Sequence, residues 1–293
     1  MSISIPHDAA APAACDRLHS ALRSWLFTPA TRADRFSNAS ECGADVLIVD
    51  LEDSIAPADK AYARDHARAW LSSGQAHARP ASAVRINAPD TVAGHADLGM
   101  LIDAPRAPDF IVVPKVETQQ RIAHLDALLR DAGRLPRYGF VAMIESAAGA
   151  DAADAIVRAC GSIGALMFGA ADYASDVAAQ PDALALQIAR VRLAAACARG
   201  RIAAIDAPCF ALRDAAALDT ELAFAVRNGL RGKAAIHPAH VAPINAAFAP
   251  SPQRIAWARR VIGAASQGAA VVDGRMVDEA VAREARDVLA AAR

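Results

Sequence analysis

The sequence is poor in what a membrane, a nucleic acid or an oxidising compartment would require. Aromatic residues make up 5% of the 293, although hydrophobic residues make up 54%, and alanine supplies most of the difference. Such a chain packs its helices closely through small side chains. No run of about 18 apolar, uncharged residues occurs, so no spanning helix is expected. Neither charge dominates: 31 Lys+Arg stand against 32 Asp+Glu, a net charge of -1. That balance leaves no electrostatic excess for phosphates and argues against a nucleic-acid partner. Five cysteines (Cys15, Cys42, Cys160, Cys197, Cys209) are dispersed and odd in number, without a Cys-x-x-Cys, as expected of reduced thiols in a cytoplasmic protein. Residues 1–21 read as a loose Ala/Pro-rich leader, lacking the basic start and apolar stretch of a signal peptide. Lysine is scarce as well: Lys60, Lys115 and Lys233 are the only three.

What the sequence does have is alternation. Eight short apolar runs lie at 24–29, 46–52, 83–87, 110–115, 139–146, 164–172, 203–208 and 233–238. They are continuous rather than alternating, as parallel strands covered on both faces are. Between them, 117–132, 182–199 and 213–228 carry apolar residues at helical spacing, and the last stops at Gly229, a residue suited to a helix end. The connection 91–104 leaves room for a short helix only. Strand–helix repetition over residues 22–249 implies an α/β fold, a (β/α)8 TIM barrel. Residues 250–293 follow a completed barrel, with a helix over 252–265, a turn over 267–274 and a helix over 277–292. This C-terminal helical extension either covers its own barrel or reaches a neighbouring subunit.

In such a barrel the chemistry sits at the C-terminal ends of the strands. The second run ends in Asp50, Glu52 and Asp53, and the third carries Arg85 and Asn87. The fourth ends in Lys115, the fifth in Glu145, the sixth in Asp172 and the eighth in His237. Glu145 and Asp172, on adjacent strands and without His or Cys beside them, suit a hard oxygen-loving cation such as Mg²⁺. As purely structural residues they would be helix N-caps. Arg85 offers a planar fork for a substrate carboxylate, or an internal ion pair to Glu52 or Asp53. Glu52 and Asp53 read as supports for Arg85 or for the metal, and Asp50 is open between that duty and capping. Lys115 is compatible with a supporting role or with the Schiff base of a metal-free aldolase. The latter has little use for Glu145 and Asp172. The turn 28–32, followed by Arg35, makes either an anion site with Arg32 or a solvated face.

Eight segments in order resemble the citrate lyase β-subunit-like family, which includes malyl-, citramalyl- and citryl-CoA lyases. They are RSWLFTPATRADR at 23–35, VDLEDS at 49–54, VRIN at 84–87, VPKVE at 113–117, MIES at 143–146, FGAADYASD at 168–176, GKAAIHPAHV at 232–241 and DGRMVD at 273–278. The resemblance implies a Mg²⁺-dependent barrel, with Mn²⁺ as substitute, usually a homotrimer, that cleaves or forms a C–C bond beside a CoA thioester to interconvert a 3-hydroxyacyl-CoA with acetyl-CoA and a 2-oxo acid. By motif it implies Glu145 and Asp172 as metal ligands and Arg85 on the substrate carboxylate. It places Phe27, Arg32 and Arg35 at the CoA end, Ile236 and His237 at the mouth, and Asp278 as an acid/base presented to a neighbouring subunit. From its position alone, Asp278 also reads as the cap of the last helix. A thioesterase on the same scaffold and a β subunit acting on a carrier-protein thioester are alternatives, as is a non-catalytic scaffold. Two departures stand out: Thr28-Pro29-Ala30 where many relatives have Val-Pro-Gly, and 178–180 where a glycine commonly follows the metal-Asp motif.

Overall fold

All eight apolar runs form strands in the computed structural model, which describes residues 22–73, 80–265 and 270–292. The leader, 1–21, lies outside the described residues. The strands are β1 (Ser24–Pro29), β2 (Val46–Asp50), β3 (Ala81–Arg85), β4 (Phe110–Val113), β5 (Gly139–Ile144), β6 (Ile163–Phe168), β7 (Ala203–Asp206) and β8 (Gly232–Ala235). Neighbours pair in parallel, and β1 joins β8 from Ser24↔Lys233 to Leu26↔Ala235, which closes the barrel. Parity then decides what each apolar residue meets. Trp25, Val46, Ile48, Ala83, Phe110, Val112, Val141, Met143, Ala165 and Met167 belong to the interior cluster. Leu26, Leu47, Val49, Val84, Ile111 and Ala142 face the helices. The interior holds many small residues, and the Trp25 and Phe110 rings, 5.0 Å apart, fill the space these leave. One step past the last inward apolar residue, parity turns Asp50 and Arg85 inward at the C-terminal rim, where both are buried.

The outer helices are α1 (Phe36–Glu41), α2 (Lys60–Ser72), α3 (Val92–Asp103), α4 (Gln119–Asp131), α5 (Ala147–Ile156), α6 (Ala170–Asp176), α7 (Leu184–Gly200), α8 (Ala215–Arg227) and α9 (Val241–Phe248). The third connection is therefore not short: α3 has 12 residues, and the Thr91 side chain caps it by accepting the Gly94 N–H. Gly94 in this helix serves close approach. A Cβ there would lie 2.1 Å from the Ala88 carbonyl oxygen.

The extension consists of α10 (Pro252–Ala265), β9 (Ala270–Val272), β10 (Arg275–Val277) and α11 (Glu279–Ala291). Where a turn is expected over 267–274, the described part is an antiparallel hairpin, and residues 267–269 lie outside the described residues. Asp273 and Gly274 make its bend at φ +50° and +76°. The two helices pack on each other around Ala258, Val261, Val277 and Ala285, a cluster that contains no barrel residue. The end of α11 is tied to the barrel by Arg23, whose guanidinium donates to the Ala291 carbonyl at 2.6 Å. Among the described residues, no helix is long and apolar enough to cross a membrane.

Candidate active site

Adjacent strands β2 and β3 end in opposite charges, and the register sets Asp50 beside Arg85. Arg85 Nε and Nη2 donate to the two carboxylate oxygens of Asp50 at 2.6 and 2.7 Å. Asp50 also accepts the Glu52 N–H at 2.9 Å and the Ser54 hydroxyl. Burial pushes the Asp50 carboxyl up, but Arg85, Ser54 and the Glu52 amide outweigh it and hold it below the ordinary value. Arg85 Nη1 remains, 2.9 Å from Glu52 Oε2 and 3.6 Å from Asp53 Oδ2. The Phe27 ring lies against this guanidinium, its centroid 4.9 Å from Cζ. The sequence offers Glu52 or Asp53 as the internal partner of Arg85. The structure gives the bidentate bond to Asp50 and leaves those two on the third nitrogen.

Lys115 lies just beyond β4 at φ +53°, a left-handed conformation that costs an L-residue roughly 1–2 kcal/mol. There its N–H donates to Glu145 Oε2 at 2.7 Å while its ammonium donates to Glu52 Oε1 at 2.7 Å. Burial lowers the Lys115 pKa, but Glu52, Asp53 and Glu145 outweigh it and raise it, so the amine stays charged. A Schiff-base lysine must be neutral to attack, and this environment works against that.

Glu145 follows β5 and is 4% exposed. Burial, Glu52 and Asp172 push its carboxyl up to about 7, against the pull of the Lys115 N–H and Arg85. Gly169 makes the room: a Cβ there would lie 2.4 Å from Glu145 Cγ. Asp172 does not end a strand. β6 stops at Phe168, Gly169 turns the chain, and Asp172 is exposed in the first turn of α6. Neither carboxylate is an N-cap, since Ser146 caps α5 and Gly169 holds that position in α6.

The donor set fits a hard cation. Asp50, Glu52, Asp53, Glu145 and Asp172 are five carboxylates; Arg85 and Lys115 are the two side-chain cations that reach into them. Glu52 Oε2, though within ion-pair distance of Arg85, is buried without a hydrogen bond. No group of three or more His, Cys, Asp or Glu residues among those described forms a metal cage. A cation here would take two carboxylates and complete its shell with water or substrate oxygens, as Mg²⁺ commonly does.

The remaining expected residues lie around this cluster. Arg32 is half-buried and donates to Asp34 at 2.9 and 2.8 Å, and Arg35 is exposed just before α1. Ala30, standing where many relatives have glycine, is buried without a positive φ, and its carbonyl lies 3.2 Å from His66 Nδ1. The other departure is not so easily accommodated: Ala178 sits at φ +51°. Ile236 and the exposed His237 follow β8, and His237 Nδ1 accepts the Ala239 N–H at 3.2 Å. Asp278 Oδ1 accepts the Val281 N–H at 2.9 Å, so it does cap α11, and it lies on the extension. Asp50 and Gly169 are the residues that sequence reasoning left undecided or missed. Inward parity after Val46 and Ile48 signals the first, and the glycine between β6 and Asp172 the second.

Comparison with known proteins bears on this arrangement. The profile of the HpcH/HpaI aldolase/citrate lyase family matches residues 23–238, and that of C–C bond lyases of the TIM-barrel fold matches 190–293. The L-malyl-CoA/beta-methylmalyl-CoA lyase of Cereibacter sphaeroides is 31% identical over 307 residues, covering 91% of this chain and 93% of that one. A (3S)-malyl-CoA thioesterase of the same species is 34% identical over 280 residues, covering 92% and 94%. The crystal structure of CitE from Mycobacterium tuberculosis with magnesium, acetoacetate and coenzyme A superposes with a TM-score of 0.77 at 30% identity, covering 94% and 99%.

Proposed function

The chain belongs to the HpcH/HpaI aldolase/citrate lyase family, and on that footing we propose that it is a Mg²⁺-dependent carbon–carbon lyase. It cleaves, or in reverse forms, a 3-hydroxyacyl-CoA such as citramalyl-, malyl- or citryl-CoA, with acetyl-CoA and a 2-oxo acid as the other side of the reaction. The observation that carries this reading is the placement of Glu145, 4% exposed just after β5, against Gly169 and near Glu52 and Asp172, where burial and those carboxylates push it up to about 7 and a cation would favour its ionised form.

Glu145 and Asp172 would hold the Mg²⁺ (or Mn²⁺), which as a Lewis acid polarises the carbonyl of a 2-oxo acid. Arg85 holds the substrate carboxylate. Asp50 fixes one edge of its guanidinium, so the fork cannot rotate, and Lys115 draws Glu52 Oε1 to itself. In cleavage the 3-hydroxyl loses its proton, the bond to the thioester α-carbon breaks, and that carbon takes the electron pair and then a proton to give acetyl-CoA. Asp278, presented by a neighbouring subunit, would handle this proton traffic; a core of the extension separate from the barrel supports that placement. The reading therefore includes a homotrimer or a multiple of it. Phe27, in the C-terminal half of β1, with Arg32, Arg35, Ile236 and His237 from the segments that follow β1 and β8, takes the CoA end. The described cysteines are unpaired, which supports a cytoplasmic protein.

The similarity to a malyl-CoA thioesterase supports a second reading, hydrolysis of the thioester at the same site. Incubating the purified chain with a panel of acyl-CoA esters, with and without EDTA, separates the two by mass spectrometry. Acetyl-CoA with a 2-oxo acid marks the lyase; free CoA with an intact hydroxy acid marks the thioesterase. Turnover of free CoA esters by this chain alone excludes an obligate carrier-protein complex, and full activity in EDTA sinks the metal reading. For the shared site, Asp278→Asn keeps the helix cap but removes the base, with an expected loss of about 10²–10⁴-fold. Mixing Asp278→Asn with Glu145→Gln subunits should restore part of the activity. Verified mixed oligomers that stay inactive would confine Asp278 to its own barrel or remove it from the mechanism.

A further inference from the structure

Beneath the charged rim lies a half-buried polar circuit that none of these steps uses. Lys60 is the first residue of α2, an end where the helix dipole disfavours a cation. Its ammonium donates to the Leu51 carbonyl at 2.8 Å, the Glu52 carbonyl at 2.6 Å and Asn87 Oδ1 at 2.7 Å. Three N–H donors meet three oxygens, which exhausts the group. Asn87 is itself held: its backbone N–H and side-chain amide both donate to Asp97 Oδ2 at 2.7 Å, and the amide also donates to the Leu51 carbonyl at 2.8 Å. Asp97, on α3, is fully buried, and its other oxygen accepts from Arg64, one turn along α2 from Lys60, at 3.3 Å. The circuit thus closes through α2, the loop after β2, the end of β3 and α3. Burial lowers the Lys60 pKa even though Asp50, Asp97, Glu52 and Asp53 all oppose the shift.

The Leu51 and Glu52 carbonyls belong to consecutive peptides. Turning both onto one nitrogen fixes the backbone on either side of Glu52 and therefore the direction of its side chain. Each Glu52 oxygen then meets a different cation, Lys115 at 2.7 Å and Arg85 at 2.9 Å. An error of about 1 Å in the loop would spoil both contacts. An apolar side chain here would leave the Leu51 and Glu52 carbonyls and Asn87 Oδ1 without this donor, so the loop holds its shape through the ammonium despite the unfavourable end of the helix.

Resting on the lyase reading, we propose that Lys60 is a positioning residue for that chemistry: by pinning the Leu51 and Glu52 carbonyls it aims the Glu52 carboxylate at Arg85 and Lys115. Lys60→Met keeps the length and leaves three oxygens without a donor. Its test measures, on the intact protein, hydrogen exchange of residues 51–55, Mn²⁺ stoichiometry by electron paramagnetic resonance, and turnover of the acyl-CoA ester that the wild type uses. Exchange in 51–55 should rise at least about tenfold, and kcat per bound Mn²⁺ should fall about 10²-fold, the scale for a misplacement of about 1 Å. KM and the number of Mn²⁺ sites should stay near wild type, because Glu145, just after β5, and Asp172, in α6, lie on elements that the Lys60 circuit does not touch. General destabilisation would instead lose Mn²⁺ sites and activity in parallel, and that result, or wild-type exchange and kcat, overturns the proposal. Should Lys60→Met fail to fold, Lys60→Arg keeps the charge but cannot bring one nitrogen to all three oxygens, and the same two readouts decide. A wild type that binds no Mn²⁺ and turns over no ester defeats the lyase reading, and with it any role for Lys60 in that chemistry. The exchange data would still show whether Lys60 pins the loop.

Discussion

Two ionic clusters among the described residues, one at the barrel rim and one on its helix-facing side, are built to different rules. Between β7, β8, α7 and α8, on the helix-facing side, Lys233 donates to Asp206 at 2.8 Å and to Glu221 at 2.7 Å. Arg190 grips the same Asp206 at 2.8 and 2.6 Å and lies over the Phe224 ring. Two cations meet two carboxylates, and every charge has a partner. At the rim, five carboxylates face Arg85 and Lys115, and Glu145 is driven up to about 7. A balanced cluster fastens elements together. The unbalanced one carries repulsion that a proton on Glu145 or a further cation relieves, and that imbalance sets it apart from the balanced cluster.

The largest expected effect falls on the unbalanced cluster. Glu145→Gln should abolish Mg²⁺ binding and reduce turnover by about 10³-fold or more, since a bound metal supplies several kcal/mol of charge stabilisation. The fold should hold, because the change removes a buried charge rather than a packing group. Titration calorimetry together with thermal unfolding checks both parts. A variant that binds Mg²⁺ like the wild type would break the contrast between the clusters.

Lys233→Met should do the reverse. It should cost about 3 kcal/mol of stability, the low end for breaking a buried pair, because Arg190 still holds Asp206. Mg²⁺ affinity of the folded protein should be unchanged. Denaturant unfolding measures the first, and a loss of metal affinity in the folded variant would show that the clusters are coupled.

The pH dependence sharpens the same comparison. The Glu145 carboxyl titrates near 7 in the folded protein, above its ordinary value of 4.5. Without metal, ionising it is therefore unfavourable, and its contribution to stability declines as pH rises from about 4.5 through 7. Mg²⁺ competes with that proton, so its apparent affinity should rise about tenfold between pH 6 and pH 8 and then level off. Calorimetric titrations at pH 6, 7 and 8 that give one affinity would remove the charge imbalance from the argument.

Much of the fold was legible because parallel strands leave unbroken apolar runs, and all eight lie where the runs do. The runs hid parity, however, and parity is what turns Asp50 inward to take the Arg85 fork. Asp172 was placed on a strand because the sixth run continues through Gly169-Ala170-Ala171, residues as apolar as a strand but helical here. Lys115 was legible as an unusual lysine, yet its left-handed backbone was not, since nothing in VPK demands it. The Lys60 circuit joins residues up to 36 apart in sequence, partly through the Leu51 and Glu52 carbonyls, which no side-chain pattern records.

The smallest effect concerns strain beside the unbalanced cluster. α6, which carries Asp172, ends in a Schellman motif: the Ala179 N–H bonds the Ala174 carbonyl at 2.9 Å, and the Ala178 N–H the Ser175 carbonyl at 3.2 Å. That motif places Ala178 at φ +51°, the position where glycine is preferred. An L-residue there costs roughly 1–2 kcal/mol, and replacing it by glycine returns part of that as added freedom of the unfolded chain, about 0.4–1 kcal/mol. Ala178→Gly should therefore stabilise the protein by about 0.5–1 kcal/mol, a rise of about 1–2 °C in Tm. Lys115 carries the same backbone strain, but relieving it with glycine would delete the ammonium on Glu52, so the two positions separate strain from charge. Ala178→Gly should leave kcat and Mg²⁺ affinity unchanged, whereas Lys115→Gly should lower kcat despite the easier backbone. If Ala178→Gly loosens Mg²⁺ instead, the strained turn itself holds Asp172 in place, and the imbalance of charge would need the backbone to maintain it.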